Sequence, residues 1–231
     1  MHVSTSLALW IGLVSALGCT GLGKAKSPTS LRPASDLQEN CFGWPQREFT
    51  PTNRANRGEF ITEGQAAVDF RLTDVNGAPV HLASLLKERP VLLVQGSYTC
   101  PVMQEKLPGL RATAQRYDSK IHTVLVYNIE AHPKGEANPY KGRRSEHEFS
   151  DRGQPRDYQG RVANAKDLKA GSDVTVAVDA LGGKHNNPVW CTFGTCPSCA
   201  WLIRQDGIVQ AMHDWYDPTS MDGSIEALLK Q

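Results

Sequence analysis

Residues 90–101 read PVLLVQGSYTCP, an apolar run that ends in a glycine and is followed by a cysteine placed directly before a proline. A continuous apolar run of this length is typical of a strand that is covered on both faces of a sheet. Proline is well tolerated at the first position of a helix, because its missing N–H would have no partner there. The stretch therefore predicts a buried strand, a short turn and a helix that begins at Pro101, with Cys100 at its N-cap.

Strands and helices alternate on both sides of this unit. The sequence predicts strands at 66–75, 90–96, 122–129 and 174–179, a hairpin at 200–213, and helices at 80–88, 101–117, 161–169 and 220–230. This order indicates an α/β fold with a central mixed sheet and flanking helices. Because βαβ crossovers are right-handed, the two middle strands are expected to be parallel, and their carboxyl ends to form one edge where a site can be built.

The chain divides into an N-terminal extension and one folded domain. An uncharged run from Leu7 to Leu17 has the length of a signal-peptide core, so residues 1–19 are predicted to be a signal peptide and the protein to be exported. The residues ALGC, which end at Cys19, resemble a lipoprotein cleavage box, and a lipid tether at Cys19 is the second expectation. Residues 20–59 are predicted to be a tether and irregular lead-in, and residues 60–231 the domain. A net charge of +1 predicts no general attraction to nucleic acid.

Cys100 is placed where a helix can activate its sulfur. At an N-cap, unpaired backbone N–H groups and the positive end of the helix dipole stabilise a thiolate, so we expect a lowered pKa and a nucleophilic sulfur. Ser97 and Thr99 add hydroxyl groups beside it. The alternative is a buried, inert cysteine.

A second group of polar residues follows the next predicted strand, in the stretch YNIEAHP at 127–133. The carboxyl ends of adjacent parallel strands meet at one edge, so Glu130 and His132 are expected to lie near Cys100. A carboxylate beside an imidazole can hold its tautomer and relay a proton. The alternative is a solvated pair at the start of a loop.

Together the two motifs resemble the iodothyronine deiodinase family, whose active-site segment reads G-S-x-T-selenocysteine-P and whose next strand ends in Y-I-E-E-A-H. The resemblance extends from about residue 64 to the end of the chain. It implies a thioredoxin-like fold, a nucleophile at Cys100, proton handling by Glu130 and His132, and a surrounding network that includes Ser97 and Thr99.

The chain also departs from that family. Cys100 stands where animal deiodinases have selenocysteine, which is a softer and more acidic nucleophile, so dehalogenation is expected to be slower. Tyr98 replaces a cysteine that many members carry two positions before the nucleophile. At the positions of the family's iodothyronine clamp, the resemblance places Pro155 and Cys199 instead of a histidine and an arginine. Thyroid hormone is therefore not the expected substrate.

The stretch CPSC at 196–199 replaces part of the clamp motif. The resemblance implies that Pro197 is the loop proline that faces the active cysteine, which would put Cys196 next to Cys100. Cys196 could then attack an oxidised Cys100, with Cys199 or Cys191 passing the oxidation onward. The alternatives are a Cys191–Cys196 or Cys41–Cys191 structural disulfide, or a zinc site that includes His185.

These features favour an exported, deiodinase-like thiol oxidoreductase that uses Cys100 as its nucleophile. The expected partners are a small-molecule substrate, either a halogenated aromatic or a peroxide, and an external thiol reductant; no bound cofactor, metal or nucleic acid is expected. One alternative is a peroxiredoxin-like thiol peroxidase, since those enzymes also place a cysteine and proline at a helix start. Another is a non-catalytic protein that carries a disulfide or handles metal.

Overall fold

The structure, a computed structural model, describes residues 28–38, 61–135, 151–182 and 186–231. Within them, the strands are β1 (Arg71–Asp74), β2 (Pro79–His81), β3 (Val91–Gly96), β4 (His122–Tyr127), β5 (Thr175–Val178), β6 (Ala200–Ile203) and β7 (Val209–His213). The α-helices are α1 (Leu82–Glu88), α2 (Pro101–Tyr117), α3 (Tyr158–Asp167), α4 (Pro188–Phe193) and α5 (Pro218–Leu229). The predicted signal peptide, Cys19 and Cys41 lie outside the described residues.

The strands form one mixed sheet in the order β2-β1-β5-β4-β3-β6-β7. β3 and β4 pair in parallel from Val91↔His122 to Gly96↔Tyr127, and β5 continues the parallel set beside β4. β6 pairs antiparallel to the other edge of β3. The predicted mixed sheet and its two parallel middle strands are therefore confirmed, and α2 begins at Pro101 as predicted.

Two hydrophobic clusters lie on opposite faces of the sheet, because alternate residues of each strand point in opposite directions. The α2-side cluster contains Leu92 and Val94 of β3, together with Cys100 and the buried face of α2. The α4-side cluster contains Val91 and Leu93 of the same strand, together with residues of α1, α4 and the segment before β6. The sheet is thus buried on both faces around β3, as its unbroken apolar sequence predicts.

Three elements differ from the sequence-based prediction, and the first is the strand predicted at 66–75, of which only Arg71–Asp74 forms β1. Residues 80–88 were expected to be a helix throughout, but Val80 and His81 pair with β1 in a hairpin and the helix begins at Leu82. Helix α4 was not predicted, since it has only six residues and all six are buried. Helical periodicity arises when one face is exposed, so a short helix covered on all sides has none.

Part of the predicted lead-in packs on the domain. Ser30 donates its backbone N–H to the Asp206 carbonyl at 2.9 Å. Arg32 exchanges backbone hydrogen bonds with Ala67 and Asp69, both at 2.8 Å. Residues 39–60 lie outside the described part of the chain. Among the described helices, none is long and apolar enough to span a membrane.

Candidate active site

Cys100 is the N-cap residue of α2 and is presented by a tight turn. The turn is closed by a hydrogen bond from the Cys100 N–H to the Ser97 carbonyl at 3.3 Å, with Tyr98 and Thr99 at its corners. The sulfur accepts a hydrogen bond from the backbone N–H of Met103 at 3.4 Å, and Pro101 is the first helical residue. Only 1% of Cys100 is exposed, and it is the free cysteine of the described residues.

The expected lowering of the Cys100 pKa is wrong for this conformation. Burial raises the pKa of Cys100 to about 11, since it removes the thiolate from water, and the negative charge of Glu130 raises the pKa further. The backbone N–H groups of Met103 and Val102 act in the opposite direction, as the N-cap position predicts, but they do not offset burial. The protonated thiol is therefore the resting form at neutral pH.

Glu130 is the centre of the polar network beside Cys100. Its side chain is fully buried and accepts hydrogen bonds on both carboxylate oxygens. Oε2 accepts from the N–H and the hydroxyl of Thr99, at 3.0 and 2.8 Å. Oε1 accepts from the Tyr127 hydroxyl at 2.5 Å and from the Asn164 amide at 3.0 Å. Four donors around two oxygens are the environment of a carboxylate, which can only accept hydrogen bonds.

The turn that carries Cys100 is held against the segment that follows β4. The Thr99 hydroxyl accepts from the backbone N–H of His132 at 3.1 Å while donating to Glu130. The buried Ser97 hydroxyl accepts from the N–H of Ala131 at 3.2 Å. All five residues predicted for the catalytic site therefore lie at the carboxyl edge of β3 and β4. Their roles in catalysis stay predictions.

Three residues that the sequence analysis did not select complete this network. Tyr127 lies within the YNIEAHP stretch, and its hydroxyl also accepts the N–H of Tyr98 at 2.9 Å. Tyr127 could have been selected from the sequence, because it lies three residues before Glu130 in the same stretch. Gln154 binds the main chain of Glu130 in both directions, at 3.0 and 2.6 Å, and Asn164 reaches its side chain from α3. Gln154 comes from a stretch without periodicity, so no sequence pattern marked it. Asn164 lies in the helix predicted at 161–169, but nothing in the helical pattern indicated its contact with Glu130.

The segment from Lys141 to Arg161 mixes basic and acidic residues, a composition typical of a solvated face, but Arg161 is buried. Its side chain is 1% exposed, and Nη1 donates to the carbonyls of Asp179 and Ala180 at 3.0 and 2.9 Å. Burial lowers the pKa of Arg161, while the nearby Asp179 raises it. Asp179, at the end of β5, accepts backbone N–H groups from the first turn of α4. Residues 141–150 of this segment lie outside the described part.

The CPSC stretch forms a disulfide. Cys196 is bonded to Cys199, with their Cα atoms 5.7 Å apart, so the alternative Cys191–Cys196 disulfide is not formed. Cys191 is also in a disulfide, and Cys41, the partner that the sequence offered, lies outside the described residues. Cys196 and Cys199 belong to the α4-side cluster, whereas Cys100 belongs to the α2-side cluster.

Strand β3 connects this disulfide to the Cys100 turn. Gln95 donates its backbone N–H to the Cys199 carbonyl at 2.9 Å. With its amide oriented to satisfy its neighbours, the Gln95 side chain also donates to the carbonyls of Gly194 and Cys196, at 3.0 and 3.1 Å. Gln95 therefore holds the CPSC segment against the end of β3, where Gly96 leads into the Cys100 turn. Pro197 is buried within the same segment.

The iodothyronine-clamp position and the alternative zinc site are the remaining expectations from the sequence. Pro155, at the position of the family's clamp histidine, is buried, and its Cβ lies close to Gly160 of α3. Over the described ranges, no three side chains of His, Cys, Asp or Glu come together as a metal-binding group. His185, which entered the zinc alternative, lies outside them.

The pKa of Cys100 predicts how its reactivity depends on pH. Alkylation requires the thiolate, and at pH 7 a thiol with a pKa of about 11 is ionised in about one molecule in 10⁴. We expect the rate of Cys100 alkylation by iodoacetamide to rise about tenfold per pH unit from pH 7 to pH 10. Peptide mass spectrometry of quenched samples measures this rate at Cys100. A rate that is already constant between pH 7 and pH 8 would contradict the burial argument.

Comparison with known proteins places the fold. No family model matches the chain, and no curated protein matches it. Hypothetical protein SMc02350 from Sinorhizobium meliloti superposes with a TM-score of 0.53 and 19% identity, over 74% of this chain and 85% of that one. A candidate thiol:disulfide interchange protein DsbE from Chlorobium tepidum gives 0.51 and 19%, over 73% and 99%. A candidate protein disulfide isomerase from Bacteroides thetaiotaomicron gives 0.51 and 16%, over 74% and 92%. These similarities show that the chain has a thioredoxin-like fold.

Proposed function

We propose that the protein is a thiol oxidoreductase in which Cys100 attacks a small, soft electrophile by deiodinase-like chemistry. One observation carries this proposal: a free cysteine caps α2 at the carboxyl edge of the parallel strands, beside a buried carboxylate that binds the same turn. Helix N-termini are among the places where reactive cysteines occur, because the N–H groups there stabilise a thiolate. The thioredoxin-like fold of the chain supports the same chemistry by analogy.

The reaction begins when the Cys100 thiol loses its proton. His132 is the proposed acceptor, since its backbone is bound to Thr99 in the turn that presents the sulfur. With a halogenated aromatic, the thiolate takes the halogen, a sulfenyl halide forms, and the ring carbon receives a proton. With a peroxide, the thiolate takes one oxygen, the O–O bond breaks, and a sulfenic acid and an alcohol or water form.

The Cys196–Cys199 pair is proposed to accept the oxidation from Cys100. When this pair is reduced, the Cys196 thiol attacks the oxidised Cys100 sulfur, and halide or water leaves as a Cys100–Cys196 disulfide forms. Cys199 then attacks Cys196, which restores the Cys100 thiol and leaves the Cys196–Cys199 disulfide that the structure contains. An external thiol reductant completes the cycle. Because the sulfurs belong to clusters on opposite faces, this step requires the CPSC segment to move.

The test compares two substrates directly. We expect the reduced protein to release iodide from an iodinated phenol in the presence of a dithiol, and His132→Ala to release it at least about tenfold more slowly. Iodide is measured with a selective electrode, and peroxide consumption is measured in parallel. Consumption of peroxide without iodide release would favour the peroxiredoxin-like alternative. Absence of both activities, with the protein folded, would favour a non-catalytic protein that carries a disulfide.

The proposed setting is an oxidising compartment outside the cytosol. The Cys196–Cys199 disulfide and the disulfide that includes Cys191 fit this setting, since cytosolic thiols are kept reduced. We propose that the protein is exported, with residues 1–19 as its signal peptide and Cys19 as a lipid attachment site. Growth with labelled palmitate would detect a lipid on the wild-type chain and none on Cys19→Ser.

A further inference from the structure

We infer that Tyr98, held in place by Arg152, gates the sulfur of Cys100 and restricts it to small electrophiles. This inference rests on the proposed function, because it assigns a substrate class to the same cysteine. The starting point is that Cys100 is almost completely covered, although the proposed chemistry needs contact with a substrate. Some neighbour must therefore move aside.

We assign this movement to Tyr98. It is the first corner residue of the turn that presents Cys100, and its half-buried ring packs against the cluster that contains the sulfur. One face of the ring is covered by the Arg152 guanidinium, whose central carbon lies 4.0 Å from the ring centroid. A cation over an aromatic face is attractive and reversible.

The main chain of Tyr98 is fixed on both sides. Its N–H is bound by the Tyr127 hydroxyl at 2.9 Å, and its carbonyl accepts from the Gln104 amide at 2.8 Å. The turn itself is closed by the Cys100–Ser97 hydrogen bond. Opening is therefore a rotation of the tyrosine ring rather than a movement of the loop. The space it uncovers is no larger than the ring, which admits a peroxide or a narrow aromatic halide and excludes a folded protein.

Arg152 is a positioning residue that acts through Tyr98 and Asn164. Nη1 donates to the Asn164 side-chain oxygen at 3.1 Å, and Nη2 donates to Asp167 at 2.6 Å. The Asn164 amide also donates its N–H to Glu130, so Arg152 and Glu130 together fix the orientation of this amide. Gln154, two residues after Arg152, fixes this segment to the Glu130 main chain. One guanidinium thus links the covering ring to the carboxylate network.

Opening would also change the chemistry of the sulfur. Burial is the largest cause of the raised pKa of Cys100, whereas the N–H groups of Met103 and Val102 lower it. Water admitted by the rotated ring removes the burial and leaves the N–H groups in place. The closed form is then a protected thiol, and the open form is the reactive one.

The experiment measures the size preference of Cys100 without turnover, using the full-length chain. Two neutral reagents are compared: iodoacetamide, which is small, and 4,4′-dithiodipyridine, whose disulfide is cleaved by the thiolate with release of 4-thiopyridone. Reaction at other thiols is subtracted with Cys100→Ser. We expect Arg152→Met and Tyr98→Ala to raise the rate ratio of the large to the small reagent at least about fivefold.

Matched variants separate a gate from a loss of structure. Arg156→Met makes the same change at an exposed position of the same segment and is expected to keep the wild-type ratio. Arg152→Lys keeps a cation over the ring and is expected to restore most of the selectivity. If Tyr98→Ala does not fold, the rate ratio of Arg152→Met alone tests the gate. If folded Arg152→Met keeps the ratio of the large-reagent rate to the small-reagent rate within twofold of wild type, the gate is overturned. The same holds if both rates rise by the same factor, because the ratio is then unchanged. If the variants change the rate ratio as expected but the wild-type protein shows no turnover, the gate is retained and the proposed function is refuted.

Discussion

Replacing Cys100 with serine is expected to reduce iodide release or peroxide consumption at least about a thousandfold. A serine hydroxyl is not ionised near neutral pH and is a poor nucleophile towards halogen or peroxide oxygen. It can still accept the backbone N–H of Met103, so the helix cap is retained. Initial rates with saturating dithiol measure the effect.

Fold retention is checked by thermal unfolding of the same variant. The midpoint is expected to lie within a few degrees of wild type, since serine and cysteine have similar volumes. Turnover by a folded Cys100→Ser protein at more than a tenth of the wild-type rate would remove Cys100 from the mechanism. The proposed function would then fail together with its nucleophile.

Replacing Glu130 with glutamine is expected to lower the free energy of unfolding by about 3 kcal/mol. The carboxylate accepts four hydrogen bonds, whereas a glutamine amide turns one of its two acceptor atoms into a donor. If the amide nitrogen takes the place of Oε2, the two donors of Thr99 lose their partner, and if it takes the place of Oε1, the donors of Tyr127 and Asn164 lose theirs. Urea unfolding followed by circular dichroism measures the change.

The same variant has a second, independent readout. The Glu130 charge is one cause of the raised pKa of Cys100, so its removal is expected to move the alkylation profile towards lower pH. Glu105→Gln makes the same change on the exposed face of α2 and is expected to alter stability by less than about 0.5 kcal/mol. Equal stability losses in the two variants would show that the Glu130 network contributes nothing specific.

The central strand-turn-helix-strand unit could be predicted from sequence for physical reasons. The apolar run of β3 has no polar face, so it had to be buried on both sides, and the proline after Cys100 marked the helix start. The parallel pairing of β3 and β4 follows from the crossover rule. That pairing alone is enough to bring Glu130 to the Thr99 turn across 31 residues.

The remainder of the site depends on contacts that no local pattern encodes. Arg152 and Gln154 come from a segment without helical or strand periodicity, and Gln154 meets Glu130 across 24 residues. The direction of the Cys100 pKa was mispredicted for a related reason. The N-cap argument uses only the local helix, whereas burial depends on how the whole α2-side cluster closes around the sulfur. The pairing of Cys196 with Cys199 likewise needed the path of the chain before β6.

The most direct test of the central claim is to locate the first oxidised atom. The protein is reduced, treated with one equivalent of hydrogen peroxide in the presence of dimedone, which traps sulfenic acids, and mapped by peptide mass spectrometry. We predict a dimedone adduct at Cys100 in the Cys196→Ser variant. In the wild type we predict no such adduct, because the Cys196–Cys199 disulfide forms instead. Consumption of the peroxide with the Cys100 thiol unmodified in the Cys196→Ser variant would contradict the assignment of Cys100 as the nucleophile.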